Sequence, residues 1–468
     1  MVHFGTGGWR AIIGDEFTRA NIQLLTQSLS EMMKEEGANE VIIGFDRRFL
    51  SDTGAKWAAE VFAGNGIQVD FIKEDAPTPL IMFAIKQSGV KYGMAVTASH
   101  NPAEYNGIKV FTEGGRDATE TVTDKIEAIG KTKPAIHMIE FDKAMEQGIV
   151  RYIEPFNDYI DSILNMLDIK TIRNKNLKVL LDPMFGVSKT SLQTILLTVR
   201  CEVDIINDRH DTLFGGRLPS PSASTLTRLK DLVVEKGYDI GIATDGDADR
   251  IGIIDNKGRF IHPNEILVLL YYYLTKYKGW TGPAVRNLAT THLLDKIAED
   301  MGQKCYEVPV GFKHISSKME ETDALIGGES SGGLTIRGHI KGKDGIFAAS
   351  LLVEMMCVTG KGLSEIMEEI YEKYGRVTMS ECDFKFSHEK KAQLQELLFT
   401  EKKIPDFTLP VEKVSYMDGL KVYFENGGWI IARFSGTEPL IRVFCEMPTA
   451  ELANQISDEM CAFLGLSK

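Results

Sequence analysis

Tyr92-Gly93-Met94-Ala95-Val96-Thr97-Ala98-Ser99-His100-Asn101-Pro102 is the stretch around which this chain is organised. Its first five residues form an apolar run and read as a buried strand. Asn101-Pro102 ends that strand. Asn106-Gly107-Ile108 reads as a turn into a second short strand, Lys109-Val110-Phe111. Ser99 then stands on a loop at a strand end, where a sheet protein can present a nucleophile. Taken alone, a Ser-His pair in such a loop is more often an ordinary turn. What gives it weight is company: an acidic triplet, a Gly/Ser-rich acidic loop, and a Ser-Gly-Thr loop flanked by arginines.

Upstream, the periodicity predicts a helix over 18–36, with Ile22, Leu25, Leu29 and Met32 on one face. A strand over 40–45 leads to Asp46-Arg47-Arg48. A helix over 54–63, a strand over 68–72 and a short helix over 80–87 precede the Ser99 strand. Strand alternating with helix predicts a mostly parallel sheet with helices on both faces. Downstream, a helix over 120–130 leads to a first boundary at 153/154. The second unit, 154–257, has a strand over 238–243 that delivers Asp245-Gly246-Asp247-Ala248-Asp249-Arg250. The third, 258–376, has an apolar helix over 264–277, a strand over 323–326 feeding Gly328-Glu329-Ser330-Ser331-Gly332-Gly333, and a helix over 346–358. The fourth, 377–468, carries strands over 429–434 and 440–446 around Ser435-Gly436-Thr437, then a closing helix over 451–464. It reads as a small α+β domain. The fold class is therefore α/β, three mixed sheet-and-helix units with a smaller C-terminal α+β unit.

The bulk numbers agree. A length of 468 residues exceeds one ordinary core and fits three or four domains. Net charge is −13, which disfavours a nucleic-acid partner but not a small phosphorylated substrate held by a few local cations. Six cysteines are scattered without a CxxC, so buried free thiols are expected. No basic region followed by an apolar run opens the chain, and the longest apolar run, Ile266 to Leu274, is about half a bilayer span. A cytoplasmic protein without a membrane partner is expected.

Asp245, Asp247 and Asp249 follow a strand at alternate positions. Three carboxylates this close repel unless a cation sits among them, and hard oxygen donors suit Mg²⁺ or Ca²⁺. A solvated acidic turn is the plainer alternative; an EF-hand fails, because it would need Gly at Arg250 and Glu at Asn256. Arg433, Ser435, Gly436, Thr437 and Arg442 have the composition of a phosphate cradle, with a charged β-hairpin as the alternative. Glu329 and Ser331 could grip neighbouring sugar hydroxyls. Lys109, Lys343, His100 and His339 are candidate proton carriers, though any one alone could be a solvated side chain. The opening Gly5-Thr6-Gly7-Gly8-Trp9-Arg10 is either a loose terminus or a loop delivering Arg10 to a phosphate.

In order, Gly5–Arg10, Thr97–Pro102, Asp245–Arg250, Gly328–Gly332 and the 433–439 run Arg-Phe-Ser-Gly-Thr-Glu-Pro resemble the motifs of the α-D-phosphohexomutases, the family of phosphoglucomutases, phosphomannomutases and phosphoglucosamine mutases. The resemblance spans essentially the whole chain. It implies four domains around a central cleft, bearing in turn the phosphoserine, the metal, the sugar contacts and the phosphate contacts. Ser99 would be carried as phosphoserine, with Mg²⁺ held by Ser99, Asp245, Asp247 and Asp249. The phosphoryl group would pass to the free hydroxyl of a hexose phosphate, giving a hexose 1,6-bisphosphate that returns its other phosphoryl to Ser99. Arg10, His100, Lys109 and Lys343 would complete the catalytic set. Arg250, Lys313, Glu329, Ser331, Arg433, Ser435, Gly436, Thr437 and Arg442 would bind substrate. A monomer or homodimer is expected.

One position departs from many bacterial relatives. They carry His after the Ser-Gly of the sugar loop, and here that place is Gly333. Lys343-Asp344-Gly345 and Val310-Gly311-Phe312-Lys313-His314 resemble phosphoglucomutase-type loops instead. The expected pair is therefore glucose 1-phosphate and glucose 6-phosphate, with mannose phosphates second and glucosamine phosphates third. A non-catalytic sugar-phosphate binder would lack the nucleophile or the triplet, and both are intact. A serine hydrolase would want G-x-S-x-G around its nucleophile, and Thr97–Asn101 does not fit.

Overall fold

The computed structural model describes residues 2–5, 7–386, 388–434 and 440–466. Four sheets follow one another along the chain. The first runs in the order Trp9–Ile12, Tyr105–Thr112, Tyr92–Val96, Glu40–Phe45, Gln68–Ile72, Val150–Ile153, with Arg116–Asp117 paired to Tyr105–Thr112. Only the pairings among Tyr92–Val96, Glu40–Phe45, Gln68–Ile72 and Val150–Ile153 are parallel. The pairings made by Tyr105–Thr112 are all antiparallel, so the mostly parallel sheet expected above is corrected to a mixed one. The reversal comes from the Ser99 loop, which folds the chain straight back along its own strand.

That strand pair also corrects the reading of Asn106-Gly107-Ile108. These residues lie inside the strand Tyr105–Thr112 and are buried. Asn106 Nδ2 donates to Phe49 O at 3.0 Å and Ser51 Oγ at 2.9 Å, which satisfies a polar side chain that would otherwise favour a turn. Helices Arg19–Glu35, Ser51–Gly64 and Glu120–Lys131 cover one face of the sheet. Thr78–Ser88 covers the other.

The second sheet runs Phe260–Ile261, Ile251–Asp255, Ile240–Thr244, Lys178–Asp182, Glu202–Ile205. The third runs Cys305–Val308, Ala284–Asn287, Ile326–Gly328, Leu334–Ile336. The strand expected over 323–326 is thus Ile326–Gly328, and Asp323 is instead the left-handed cap of helix Phe312–Thr322. One continuous apolar core joins the Thr78–Ser88 side of the first unit to the second and third. Within it, helix Gly345–Thr359 is buried nearly all round, as its largely apolar sequence requires, and its one charged side chain, Glu354, accepts from Tyr273 Oη and lies 2.6 Å from Lys278 Nζ. Among the described residues no single helix is long and apolar enough to cross a membrane. The fourth sheet, Thr378–Lys385, Leu440–Met447, Trp429–Phe434, Leu420–Phe424, Val411–Ser415, is wholly antiparallel and packs under helix Ala450–Leu464 on its own core.

Candidate active site

The acidic triplet occupies the reverse turn between Ile240–Thr244 and Ile251–Asp255, whose ends pair Thr244 with Ile251. Asp245, Asp247 and Asp249 are fully or almost fully buried, with carboxylate oxygens within 4.8 Å of one another. Gly246 is required here: a Cβ on it would lie 2.8 Å from Ser99 O, so only glycine lets the turn come this close to the serine loop. Ser99 Oγ donates to Asp245 Oδ2 at 2.7 Å, and Ser99 is itself fully buried.

The serine loop is held in an unfavourable backbone state. Ser99 has φ +52°, in the left-handed region that costs an L side chain about 1–3 kcal/mol. Arg48 holds it there. Its buried guanidinium donates to Ser99 O and Asn101 O, both at 2.6 Å, and to Pro102 O at 2.9 Å and Tyr105 O at 3.0 Å. Asp46 stands behind, accepting from Thr97 Oγ1 at 2.6 Å, Ser51 Oγ at 2.7 Å and Arg48 N at 3.0 Å. Thr97 Oγ1 in turn accepts from Ser99 N at 2.9 Å.

Cations converge on the triplet from two other units. Lys109 Nζ lies 2.7 Å from both Asp247 Oδ2 and Asp249 Oδ2, and Lys343 Nζ lies 2.9 Å from Asp249 Oδ2. Thr78 Oγ1 donates to Asp247 Oδ2 at 2.8 Å, and Arg250 N to Asp245 Oδ1 at 3.0 Å. The three carboxyls are driven apart in acidity. Burial and the charges of Asp247 and Asp249 push Asp245 well above the usual carboxylate range. Burial acts the same way on Asp249, but Lys109 and Lys343 outweigh it and hold that carboxyl well below. Burial would depress Lys109 too, yet Asp247 and Asp249 raise it above its ordinary value. Lys109 thus stands as a positive charge against Asp247 and Asp249.

The donor set fits a hard divalent cation. All three ligand types are carboxylate, and the buried Oδ1 atoms of Asp247 and Asp249 accept no hydrogen bond. An ion held by Asp245, Asp247 and Asp249 beside Ser99 Oγ would supply positive charge where phosphoryl oxygens gather.

The remaining predicted residues fall around this centre. His100 Nδ1 is 3.4 Å from Ser99 Oγ, and burial, with Arg250 and Arg10 nearby, keeps its imidazole neutral. Arg10 Nη1 donates to Asn101 Oδ1 at 2.6 Å. Glu329 Oε1 accepts from Asn287 Nδ2 at 3.1 Å and Gly311 N at 3.2 Å, while Ser331 Oγ is 3.4 Å from its Oε2. Lys313 pairs with Glu120 at 2.6 Å, tying the first unit to the third. Beside it a cleft of about 300 Å³ is lined by Gly5, Gly7, Gly8, Lys109 and Asp117. Arg433 and Arg442 are direct cross-strand partners, and each has a carboxylate beside it, Asp418 at 2.8 Å from Arg433 and Asp383 at 3.7 Å from Arg442. Ser435, Gly436 and Thr437 lie outside the described residues.

His339 is not placed to carry protons. It is buried against Asp344, with Nε2 2.6 Å from Oδ2, and Tyr159 donates to the same oxygen at 2.8 Å. The other Asp344 oxygen caps helix Gly345–Thr359, accepting from Ile346 N at 2.8 Å and Phe347 N at 2.9 Å.

Gly333 and Lys343 share one space. A Cβ on Gly333 would stand 2.2 Å from Lys343 Cδ and 2.8 Å from its Cγ. The lysine stem thus fills the volume that a side chain at 333 would take.

Four residues here were not singled out from sequence. Arg48 was visible only as one of two adjacent arginines after a strand. Asp46, Thr78 and Asp117 gave no local signal, because each acquires its role through partners distant in the chain. Asp117 lies between the charges of Lys109 and Lys343, and burial pushes its carboxyl up.

The sequence matches the models of phosphoglucomutase/phosphomannomutase alpha/beta/alpha domain I at residues 1–136, domain II at 157–258, domain III at 262–374 and the C-terminal domain at 390–463. It is 31% identical to a phosphoglucomutase/phosphomannomutase of Thermococcus kodakarensis, over 97% of this chain and 96% of that one. It is 28% identical to a phosphoglucosamine/phosphogalactosamine mutase of Sulfurisphaera tokodaii, over 98% of each. Among solved structures, a Thermus thermophilus protein assigned as a phosphomannomutase superposes with TM-score 0.86 at 29% identity, covering 99% of both chains. With the four domain models in order and full-length relatives at this level, the chain belongs to the phosphoglucomutase/phosphomannomutase family, isomerases that transfer a phosphoryl group within a hexose phosphate.

Proposed function

We propose that this protein interconverts glucose 1-phosphate and glucose 6-phosphate through phosphoserine at Ser99 and a glucose 1,6-bisphosphate intermediate. The observation that carries the sugar choice is the shared space of Gly333 and Lys343. The lysine occupies the place where many mannose- and glucosamine-directed relatives carry His, and its ammonium reaches the triplet.

In this reading the substrate's free hydroxyl attacks phosphorus, the bond from phosphorus to Ser99 Oγ breaks, and a sugar phosphate ester forms. Lys343 acts as the relay: its ammonium gives one proton to Ser99 Oγ as that oxygen leaves, and it takes the hydroxyl proton in exchange, so its charge beside Asp249 is restored. The reoriented bisphosphate then returns its other phosphoryl group to Ser99. Little covalent skill is needed; charge and position are. Lys109, Arg10 and Arg250 supply fixed charge around the transferring group. Glu329 and Ser331 take sugar hydroxyls. Arg433 and Arg442, with Ser435, Gly436 and Thr437, hold the phosphate that is not reacting, and Lys313 flanks the entrance. Asp245, Asp247 and Asp249 would hold Mg²⁺. The same reading sets domain limits at 153/154, 257/258 and 376/377, the middle one cutting off the edge strand Phe260–Ile261 of the second sheet, and places the enzyme in the cytoplasm.

The test is a coupled mutase assay with Mg²⁺ and a trace of hexose 1,6-bisphosphate. It compares glucose, mannose and glucosamine phosphates on the native chain and on Ser99→Ala. Highest kcat/KM on glucose 1-phosphate, with turnover lost in Ser99→Ala, is expected. A clear preference for glucosamine 1-phosphate would overturn the sugar choice; several relatives at about 30% identity are named as probable phosphoglucosamine mutases. Full activity in Ser99→Ala would overturn the mechanism.

A further inference from the structure

Asp418 stands at the boundary between the third and fourth units, just before the strand Leu420–Phe424. One of its oxygens, Oδ2, accepts from Arg433 Nε at 2.8 Å and from Val310 N at 3.0 Å. The next residue along, Gly311, donates its N–H to Glu329 Oε1 at 3.2 Å. Two successive backbone donors therefore connect Asp418 on one side to Glu329 on the other. A single short path, Arg433–Asp418–Val310–Gly311–Glu329, links the arginine of the fourth unit to the carboxylate of the third.

Around this path the two units are firmly mounted. Lys421, three residues after Asp418, is buried, donates to Leu288 O at 2.6 Å and Glu307 Oε2 at 2.7 Å, and lies 4.2 Å from the Trp429 ring centre. Trp429 Nε1 donates to Glu446 Oε1 at 3.0 Å, which also accepts from His292 N at 2.9 Å. Leu288, Ala289, Tyr423, Trp429 and Ile431 form the apolar part of the joint. This mount fixes the coarse geometry and leaves Asp418 to set the last adjustment.

We propose that Asp418 is a positioning residue for catalysis: it holds the Arg433 guanidinium in register with the loop carrying Glu329. One carboxylate then sets both the phosphate grip and the hydroxyl grip on a single hexose phosphate. This rests on reading Arg433 and Glu329 as substrate contacts. An arginine has five N–H donors in a rigid fork. Tying the Nε edge to Asp418 leaves the terminal nitrogens for paired contacts with phosphate, and it removes side-chain freedom that binding would otherwise have to freeze. The ion pair itself is partly open to solvent and contributes little to stability, so its value lies in alignment. A mutase that must accept its substrate in both orientations needs a constant distance between these two grips.

The experiment titrates glucose 1-phosphate calorimetrically into the full-length Ser99→Ala protein, where no turnover occurs, and into the same protein carrying D418N, D418A, R433A or R433A with D418A. D418A is expected to weaken binding about tenfold. D418N keeps an acceptor for Val310 N but lacks the charge, and should fall between. Adding D418A to R433A should weaken binding by much less than D418A does alone, since the Arg433 arm is already gone and only the Val310 tie toward Glu329 is left to lose. Melting temperatures should stay within about 2 °C. The inference is overturned if D418A and D418N bind within twofold of their parent, or if the D418A and R433A effects multiply. Should D418A fold poorly, D418N decides. Mutase turnover of the native chain is assayed alongside. A native chain that binds glucose 1-phosphate without turnover overturns the mutase reading and leaves the Asp418 comparison intact. Absence of binding overturns both.

Discussion

Ser99 Oγ donates to Asp245 Oδ2 at 2.7 Å although 146 positions of chain separate them. The contact joins the candidate nucleophile of the first unit to the acidic turn of the second. It forms only because Gly246 leaves the turn open on that side. Burial and two neighbouring carboxylates raise the affinity of Asp245 for a proton, and Ser99 is the group that offers it one. The arrangement is three buried carboxylates with the serine at their edge; Lys109 and Lys343 face two of them, and the Oδ1 atoms of Asp247 and Asp249, which accept no hydrogen bond, are where a cation would bind.

Mg²⁺ should therefore stabilise the folded chain. A ligand that binds only the folded state adds about 2.7 kcal/mol at a hundredfold excess over its Kd. Thermal unfolding across a Mg²⁺ titration should show a rising midpoint. Asp249→Asn should reduce or abolish the rise, and it should also lower the Mg²⁺-free midpoint, since it leaves Lys109 and Lys343 with one buried carboxylate fewer. An equal rise in that variant would remove the triplet as the binding site.

Arg48→Met should cost about 3–5 kcal/mol, because it strips four carbonyls of the Ser99 loop of their donor, Ser99 O buried and the others partly so, and leaves buried Asp46 without its neighbouring charge. Urea unfolding measures the loss. The Ser99 loop should also relax from its left-handed conformation, so amide exchange over 97–105 should accelerate. Unchanged protection there would show that the loop holds its own shape.

Gly333→Ala should push the Lys343 stem aside and break its contact with Asp249. The obstacle is a flexible side chain, so the expected stability loss is only about 1 kcal/mol, while kcat should fall about tenfold or more. In a Lys343→Ala background the same glycine change should cost almost nothing further. Equal effects in both backgrounds would separate the two positions.

His292 should make the joint between the third and fourth units sensitive to acid. Burial, with Arg286 and Lys421 alongside, lowers this imidazole from 6.5 to about 3. The unfolded chain takes up the proton near pH 6.5, and the folded chain not until about 3. Stability from this group is thus complete above pH 6.5 and lost as pH falls toward 3. Each pH unit in that window is worth about 1.4 kcal/mol. Denaturant unfolding at pH 6.5 and pH 5 should differ by roughly 2 kcal/mol more in the native protein than in His292→Gln. No difference between them would assign the acid response to other groups.

Much of the fold and the chemical centre was legible in the residues. Asp245, Asp247 and Asp249 declared themselves because local spacing alone gathers them, and Ser99 because an apolar strand ends beside it. What stayed hidden depends on contacts between distant segments. Asp46-Arg47-Arg48 does not say which arginine turns inward; the four carbonyls of the Ser99 loop decide it. Asn106-Gly107 carries a turn signal that Ser51 and Phe49 override by satisfying the asparagine inside a strand. Lys109 gives no sign in sequence of the two buried carboxylates that face it. Asp418 precedes a glycine in an ordinary-looking loop, and its partners Val310 and Arg433 lie on different units.

The exclusion between Gly333 and Lys343 also bears on descent. A side chain at 333 and a lysine stem at 343 compete for one volume, so a lineage cannot pass from one arrangement to the other by two independent steps. Each position therefore sets what a change at the other costs, and an effect measured at one holds only for the residue standing at the other.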